Sequence, residues 1–207
     1  MGSRFLLRFR QWFLLLTMLL SVSGCFISAK AQLQPFPLPE KCWLSEAAIY
    51  EIRQSIRLEW QGRVESFEAF TMLDLRVAKL QQVVFSQLGV TLLTLQVDSQ
   101  GFRVAGPLAS GFAGKRLARL LSESWQRIYL DLQPNGNSGF VSRSGQRPTM
   151  AGDPPRLVSL AGSSGIVEYS DYRPVGDSEV PYRITLHNAG PEYVLTVTFL
   201  SVTEDRT

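Results

Sequence analysis

The sequence is poor in the residues that carry most enzymatic and metal chemistry. Its 207 residues include one histidine, His187, and two cysteines, Cys25 and Cys42. Zinc sites draw their ligands mainly from cysteine and histidine, and a catalytic triad needs a histidine beside its nucleophile. The sequence has no Gly-x-Ser-x-Gly nucleophile turn, His-Glu-x-x-His helix or phosphate-binding glycine loop. His187, next to Asn188, is expected on the surface. The sequence therefore predicts a protein that is not an enzyme and uses no metal or cofactor.

The chain also lacks an excess of basic charge once the N-terminal segment is set aside. The whole chain has a formal net charge of +3. Residues 1–24 hold three arginines and no acidic residue, so the remainder has 18 basic and 18 acidic residues. No cluster of lysine and arginine remains in that neutral part, which argues against nucleic acid as a partner.

The N-terminal segment has the three-part layout of a secretory signal peptide. Three arginines precede an uncharged, largely apolar stretch over residues 11–24. Its apolar centre is shorter than the roughly 20 residues that a membrane-spanning helix needs. The stretch ends in Val22-Ser23-Gly24-Cys25, which resembles the lipobox of bacterial lipoproteins. The resemblance implies cleavage between Gly24 and Cys25 and acylation of Cys25; the alternatives are an ordinary signal peptide or an uncleaved anchor.

Residues 25–41 are predicted to form a lipidated, flexible tether. Prolines at every second position from 35 to 39 favour an extended polyproline-type chain. In bacterial lipoproteins, an aspartate directly after the acylated cysteine retains the protein in the inner membrane. Phe26 holds that position here, so the resemblance implies export to the outer membrane, on its periplasmic face. Cys42 is expected to be a small buried residue, with a mixed disulfide as the alternative.

Alternation of apolar and polar residues predicts antiparallel strands after the tether. The clearest case is Tyr50–Trp60, where apolar side chains of one parity alternate with charged and polar ones, broken only by Gln54. Short turns between the strands indicate antiparallel neighbours. The other predicted strands cover residues 67–73, 80–86, 91–97, 102–105, 156–160, 166–172, 180–186 and 193–202.

One amphipathic helix interrupts these strands. Apolar positions from Leu117 to Ile128 follow helical spacing, in a segment that starts at Gly114. The helix is predicted to plug an open sheet rather than to lie on a membrane. The stretch 133–155 is rich in Gly, Ser, Asn and Pro and is predicted to be an irregular connection. Residues 42–207 are thus predicted to form one mainly β domain of the α+β class.

Three stretches, 55–69, 85–98 and the helix 114–126, resemble an uncharacterised family of proteobacterial lipoproteins, domain of unknown function 3261. That family is in turn similar to LolB, the outer-membrane receptor of lipoproteins, and to its periplasmic partner LolA. The resemblance implies a LolA/LolB-like antiparallel, incomplete β-barrel wrapped round a helical plug, with an apolar cavity. In LolB, a Leu-Gly after the third strand helps to pass acylated cargo into the membrane. Leu88-Gly89 matches this pair.

The resemblance also supplies the candidate site residues. Leu88 and Gly89 form the candidate membrane-probing loop, although Gln87 stands where LolB has a proline. For Leu88 the alternative is a buried leucine at a strand end. The candidates for lining a ligand cavity are inward-facing apolar residues of two strands and the helix: Tyr50, Ile52, Ile56, Leu58, Trp60, Leu93, Leu95 and Trp125.

Together, these features predict an outer-membrane-anchored lipoprotein that binds or relays a hydrophobic acylated ligand. A lipid, lipoprotein acyl chains or a lipid-linked polyene are the candidate ligands, the last because the resembling family is often associated with aryl-polyene pathways. A periplasmic LolA-like carrier is the candidate partner. Two alternatives stay open: helix and sheet fill each other and leave no cavity, or the protein is a structural or assembly lipoprotein that holds a partner at the outer membrane.

Overall fold

The fold combines a long antiparallel sheet with one helix. The computed structural model describes residues 43–45, 48–134, 140–190 and 192–205. A short 3-10 turn, Trp43–Ser45, comes first. The strands before the helix are β1 (Ile49–Trp60), β2 (Arg63–Asp74), β3 (Lys79–Phe85), β4 (Thr91–Asp98) and β5 (Gly101–Ala105).

Helix α1 (Phe112–Trp125) continues directly into a π-helical segment, Gln126–Leu130. The strands after it are β6 (Leu132–Pro134), β7 (Phe140–Ser142), β8 (Arg147–Ala151), β9 (Arg156–Gly162), β10 (Gly165–Val175), β11 (Ser178–Asn188) and β12 (Tyr193–Asp205).

Ten of the described strands form a single sheet in the order β5-β4-β3-β2-β1-β12-β11-β10-β9-β8, and β6 pairs with β7 separately. Each neighbouring pair is antiparallel. Strands β1 and β12 pair along their whole length, which joins the two halves of the chain. Strands β5 and β8 remain as edges in the described residues, so the barrel is incomplete. The predicted fold class, an open antiparallel barrel round a helical plug, is confirmed.

The alternating pattern of β1 produces one face of the core. Tyr50, Ile52 and Ile56 have no exposed surface, whereas Glu51 and Arg53 face solvent. Their buried neighbours come from both halves of the sheet and from the helix, in one continuous apolar cluster. This is the arrangement expected when one face of a strand packs on a core.

Helix α1 is fixed inside the barrel by a polar chain as well as by apolar packing. Trp125 is fully buried, and its indole N–H donates to the Gln82 side-chain oxygen at 3.0 Å. The Gln82 amide donates in turn to the Thr71 hydroxyl at 2.8 Å. Buried polar groups that find partners in this way specify one position for the helix relative to β2 and β3.

The stretch 133–155 is more regular than predicted. Its residues 147–151 form strand β8, which pairs with β9 and lies at an edge of the sheet. The prediction of an irregular connection is therefore wrong for this part. Proline has no N–H and is tolerated on an edge strand, which accounts for Pro148. The side chains of β8 alternate between exposed and half-buried, so an edge strand of this kind leaves little apolar periodicity in the sequence.

One end of the sheet, called the upper end, carries the start of α1. The pairing of Trp60 with both Arg63 and Tyr193 places the β1–β2 and β11–β12 turns at this end. The β3–β4 turn and the segment between β5 and α1 lie there too. That segment is held on the sheet because the Leu108 N–H donates to the Leu92 carbonyl at 3.1 Å.

Some sequence predictions concern residues outside the described ones. They are the signal peptide 1–24, the tether 25–41, and the roles of Cys25 and Cys42, and they stay predictions. In the described part of the chain, no helix has the length and apolar composition that crossing a bilayer requires.

Candidate functional site

An apolar depression opens at the upper end between α1 and the β1–β2 hairpin; we call it the groove. Its volume is about 440 Å³, within the range of small-molecule sites. Polar members of its lining are Arg63, Glu65 and Arg116. Its apolar wall comes from both strands, from the segment before α1 and from the helix: Leu58, Trp60, Phe67, Leu108, Phe112, Ala113, Leu117 and Leu120.

Gly114 fixes how closely the helix approaches the segment before it. A Cβ atom at this position would lie 1.8 Å from the Leu108 carbonyl oxygen, far inside van der Waals contact. Only glycine therefore lets the first turn of α1 pack on that backbone. Because Leu108 and the first turns of α1 both line the groove, this contact sets part of its shape.

Arg116 lies over the aromatic face of Trp60. The guanidinium carbon is 3.9 Å from the ring centroid, a cation–π arrangement. Trp60 is the last residue of β1 and is half-buried, so its outer face is free to receive the guanidinium. A second, more open depression of about 640 Å³ shares Trp60, Phe112, Arg116 and Leu120 with the groove. The Trp60–Arg116 pair is thus common to both depressions.

The eight predicted cavity residues fall into two groups. Leu58 and Trp60 line the groove. The other six have no exposed surface and pack in the core: Tyr50, Ile52, Ile56, Leu93, Leu95 and Trp125. The structure therefore brings two of the predicted residues to a surface that a ligand could reach.

Leu88 projects from the β3–β4 turn into solvent, with 90% of its surface exposed. Ser86 organises the turn: its hydroxyl accepts hydrogen bonds from the N–H groups of Leu88 and Val90, at 3.3 and 3.2 Å. Gly89 has φ of +77°, a left-handed conformation that glycine adopts without strain. A well-defined turn thus displays the leucine, and the alternative of a buried strand-end residue does not hold.

Five of the nine exposed large apolar side chains of the described residues lie at the upper end. Phe112 is 83% exposed at the start of the helix. Scattered exposed apolar residues are ordinary, but a group at one end of a fold indicates a contact surface. The upper-end members are Val64, Leu88, Val90, Leu108 and Phe112.

The hydroxyl groups of two buried tyrosines, Tyr193 and Tyr129, have a structural role and are not placed for proton transfer. Burial raises the pKa of Tyr193, against the opposing effect of its hydrogen bond with Ser124, whose hydroxyl is 3.0 Å away. Burial also raises the pKa of Tyr129, which donates to the Gln54 side chain at 3.4 Å. Both phenols therefore stay neutral near pH 7 and serve as hydrogen-bonding groups.

The single histidine and the acidic side chains of the described residues form no metal site. His187 lies on β11 with its side chain about half exposed, and its Nε2 is 3.4 Å from a Glu168 carboxylate oxygen. Among the described residues, no three side chains of His, Cys, Asp or Glu are placed to hold a metal ion. The groove is therefore an apolar surface whose polar members are two arginines and one glutamate.

The sequence did not single out Phe112, Arg116 or Leu108 as site residues. The predicted helix began at Gly114, so Phe112 fell outside it. For Phe112, the one available signal in the sequence was an aromatic residue just before the apolar stripe of the helix. The Trp60–Arg116 contact joins two elements far apart in the chain, and no local pattern indicates it.

The fold and the groove define an open antiparallel barrel with a helical plug and an apolar depression at its surface. No protein family and no curated protein matches the sequence. Among solved structures, the chain is similar to a DUF1329 family protein from Desulfovibrio piger, with 9% identity, a TM-score of 0.47, and coverage of 78% of this chain and 87% of that one.

Two further solved structures are similar to the chain. A LolA superfamily protein from Nitrosomonas europaea has 12% identity, a TM-score of 0.41, and coverage of 76% of this chain and 86% of that one. The third structure, from Vibrio parahaemolyticus, is described as a domain of an outer membrane lipoprotein-sorting protein. It has 5% identity and a TM-score of 0.41, with coverage of 78% of this chain and 87% of that one. Membership of the domain of unknown function 3261 family stays a prediction.

Proposed function

We propose that this protein is a lipoprotein, anchored to the periplasmic face of the outer membrane through acyl chains on Cys25, that binds a hydrophobic acylated ligand and relays it. A lipid, lipoprotein acyl chains or a lipid-linked polyene would be the ligand, and a periplasmic LolA-like carrier the donor. In this proposal the protein is a carrier or receptor and not an enzyme.

The groove is the observation that carries the proposal. Its walls hold aromatic and aliphatic side chains that the fold leaves half-buried or exposed, among them Trp60, Phe67, Phe112 and Leu117. Removing apolar surface from water is worth about 25 cal/mol per Å². An acyl chain lying along these side chains would therefore gain binding energy that a polar ligand would not.

The position of the exposed apolar residues supports relay to a membrane. Leu88 and Val90 lie at the same end of the sheet as the groove. An apolar side chain displayed beside a binding site can enter the interface of a bilayer while the ligand leaves. The cationic residues of the nearby helix face, Lys115, Arg116 and Arg119, would add attraction to anionic lipid.

Mass spectrometry of the full-length protein extracted from membranes tests both halves of the proposal. We expect covalent acyl chains on an N-terminal Cys25 and, separately, a non-covalent lipid released by denaturation. Leu117→Trp should fill the groove and reduce the non-covalent lipid at least severalfold while leaving Cys25 acylated. Val77→Trp, at an exposed site outside the groove lining, is the matched control. Wild-type protein without bound lipid would contradict the ligand proposal, and unmodified Cys25 would contradict the anchor.

Leu88→Glu should slow the transfer of a fluorescent acylated ligand from the protein to phospholipid vesicles, by about tenfold. The reason is that a carboxylate resists entry into the membrane interface. Because Leu88 is 90% exposed, the free energy of unfolding should change by less than about 0.5 kcal/mol. Val77→Glu is the control, because Val77 is 64% exposed and does not lie at the upper end. Equal transfer rates for wild type and Leu88→Glu would remove this role from Leu88.

A second candidate function is a structural lipoprotein that holds a partner protein at the outer membrane. The apolar side chains at the upper end, including Phe112 and Val64, favour it because such a group also suits a protein interface. The same experiments separate the two functions. A scaffold would carry no lipid in the groove, and Leu88→Glu would weaken a protein contact while leaving no ligand transfer to measure.

A further inference from the structure

We propose that the groove selects amphiphiles with a long chain and an anionic headgroup, and that Arg116, held on the Trp60 ring, binds that headgroup. The inference rests on the proposed ligand-binding function and adds the chemical class of the ligand. A long-chain carboxylate or a single-chain phosphate ester meets this description.

Helix α1 places the charge of Arg116 in line with two apolar side chains. Phe112, Arg116 and Leu120 are spaced four residues apart and so lie on one face of α1. All three line both the groove and the neighbouring depression. A chain lying along Phe112 and Leu120 would therefore bring its polar end to the guanidinium between them.

The contact with Trp60 orients the guanidinium without consuming its hydrogen-bonding capacity. The guanidinium carbon lies 3.9 Å from the ring centroid, in cation–π contact. In the described residues no hydrogen bond or ion pair occupies the Arg116 N–H groups, so they remain free to donate. Such a planar fork matches the two oxygens of a carboxylate or phosphate.

Neighbouring carboxylates do not neutralise Arg116. In the described residues, no acidic side chain forms an ion pair with Arg116, Arg63 or Lys115. Two nearby acids are engaged elsewhere: Glu123 pairs with Arg119 at 2.9 Å, and Glu59 with Arg57 at 3.2 Å.

Two other carboxylates line this region without pairing to Arg116. Glu65 belongs to the groove, and Glu192 belongs to a third depression, of about 550 Å³, that Trp60 and Arg116 also line. Each lines only one of the depressions, whereas Arg116 lines all of them. The cation common to these surfaces is therefore the group best placed to meet an anionic headgroup.

Competition for a photoactivatable palmitic acid tests the inference. The full-length protein is placed in phosphatidylcholine nanodiscs, irradiated with the probe, and the yield of labelled protein is measured. Palmitate and lysophosphatidic acid should compete about tenfold better than methyl palmitate, because only the first two offer an anion to Arg116. The two anionic competitors distinguish a carboxylate from a phosphate headgroup.

Variants of Arg116 test whether this residue binds the anionic headgroup. Arg116→Gln should weaken competition by palmitate about tenfold and leave methyl palmitate unchanged, and Arg116→Lys should restore part of the difference. Arg183→Gln, which removes an exposed cation on β11, should behave as wild type. Equal competition by palmitate and methyl palmitate in the wild type, or an equal loss for both in Arg116→Gln, would overturn the headgroup role. Absence of labelling by the probe would instead overturn the ligand-binding function on which the inference rests.

Discussion

Replacing Trp125 with alanine is expected to lower the free energy of unfolding by about 4 kcal/mol or more. Truncating a buried tryptophan typically costs about 3–5 kcal/mol through lost burial and the cavity left behind. Trp125 has no exposed surface, and its ring lies 5.6 Å from that of Tyr129. The change would also leave the Gln82 side-chain oxygen, at 3.0 Å from the indole nitrogen, without its donor in a buried site.

Urea denaturation followed by circular dichroism measures this effect without relying on tryptophan fluorescence. Trp125→Phe retains most of the apolar volume and removes only the N–H, so it should cost less, about 1–3 kcal/mol. Val77→Ala, at a residue that is 64% exposed, should change the stability by less than about 0.5 kcal/mol. If Trp125→Phe is as stable as wild type, the hydrogen bond to Gln82 does not hold the helix in the barrel.

The strands were predictable because one face of each lies against the core. In β1, the buried positions repeat every second residue from Tyr50 to Leu58, which is the spacing visible in the sequence. Gln54 breaks the apolar pattern but keeps the buried parity, next to an irregularity in the register between β1 and β12. Strand β8 was missed because it is an edge strand and three of its five residues face solvent.

The helix was predicted in position but not in all its contacts. The buried face of α1 includes Ser122 and Ser124, which a hydrophobic pattern assigns to the polar side. Each hydroxyl donates to the carbonyl four residues earlier, at 2.7 and 2.8 Å, so the side chain can enter the core with its polar group satisfied. Such compensation depends on the folded backbone and has no signature in the spacing of apolar residues.

The groove could be predicted as a class of site but not as a set of residues. Leu58 and Ile56 belong to the same buried face of β1, yet of the two only Leu58, the one nearer the upper end, lines the groove. Apolar side chains in a pocket and in a core have the same chemistry. The distinction depends on how closely the first turn of α1 packs on the segment before it, which Gly114 permits.

Replacing Gly114 with alanine should therefore destabilise the protein, although glycine to alanine within a helix usually stabilises it by up to about 1 kcal/mol. The added Cβ would lie 1.8 Å from the Leu108 carbonyl oxygen and 2.5 Å from its carbonyl carbon. Both are backbone atoms and cannot turn aside. The Leu108 segment cannot move freely either, because its N–H is bonded to the Leu92 carbonyl. We expect a net loss of about 2 kcal/mol, since overpacking costs about 1–3 kcal/mol and outweighs the gain in helix propensity.

Two measurements on Gly114→Ala connect stability to function. Urea denaturation should show the loss, and labelling by photoactivatable palmitic acid should fall because the displaced Leu108 reshapes the groove. Gly111→Ala is the matched control: the nearest atom to its Cβ is the Leu108 oxygen at 3.9 Å, an ordinary contact, and its cost should stay near or below about 1 kcal/mol. Unchanged or higher stability of Gly114→Ala would mean that helix and segment do not pack so closely in solution. In that case Gly114 could not be what shapes the binding surface.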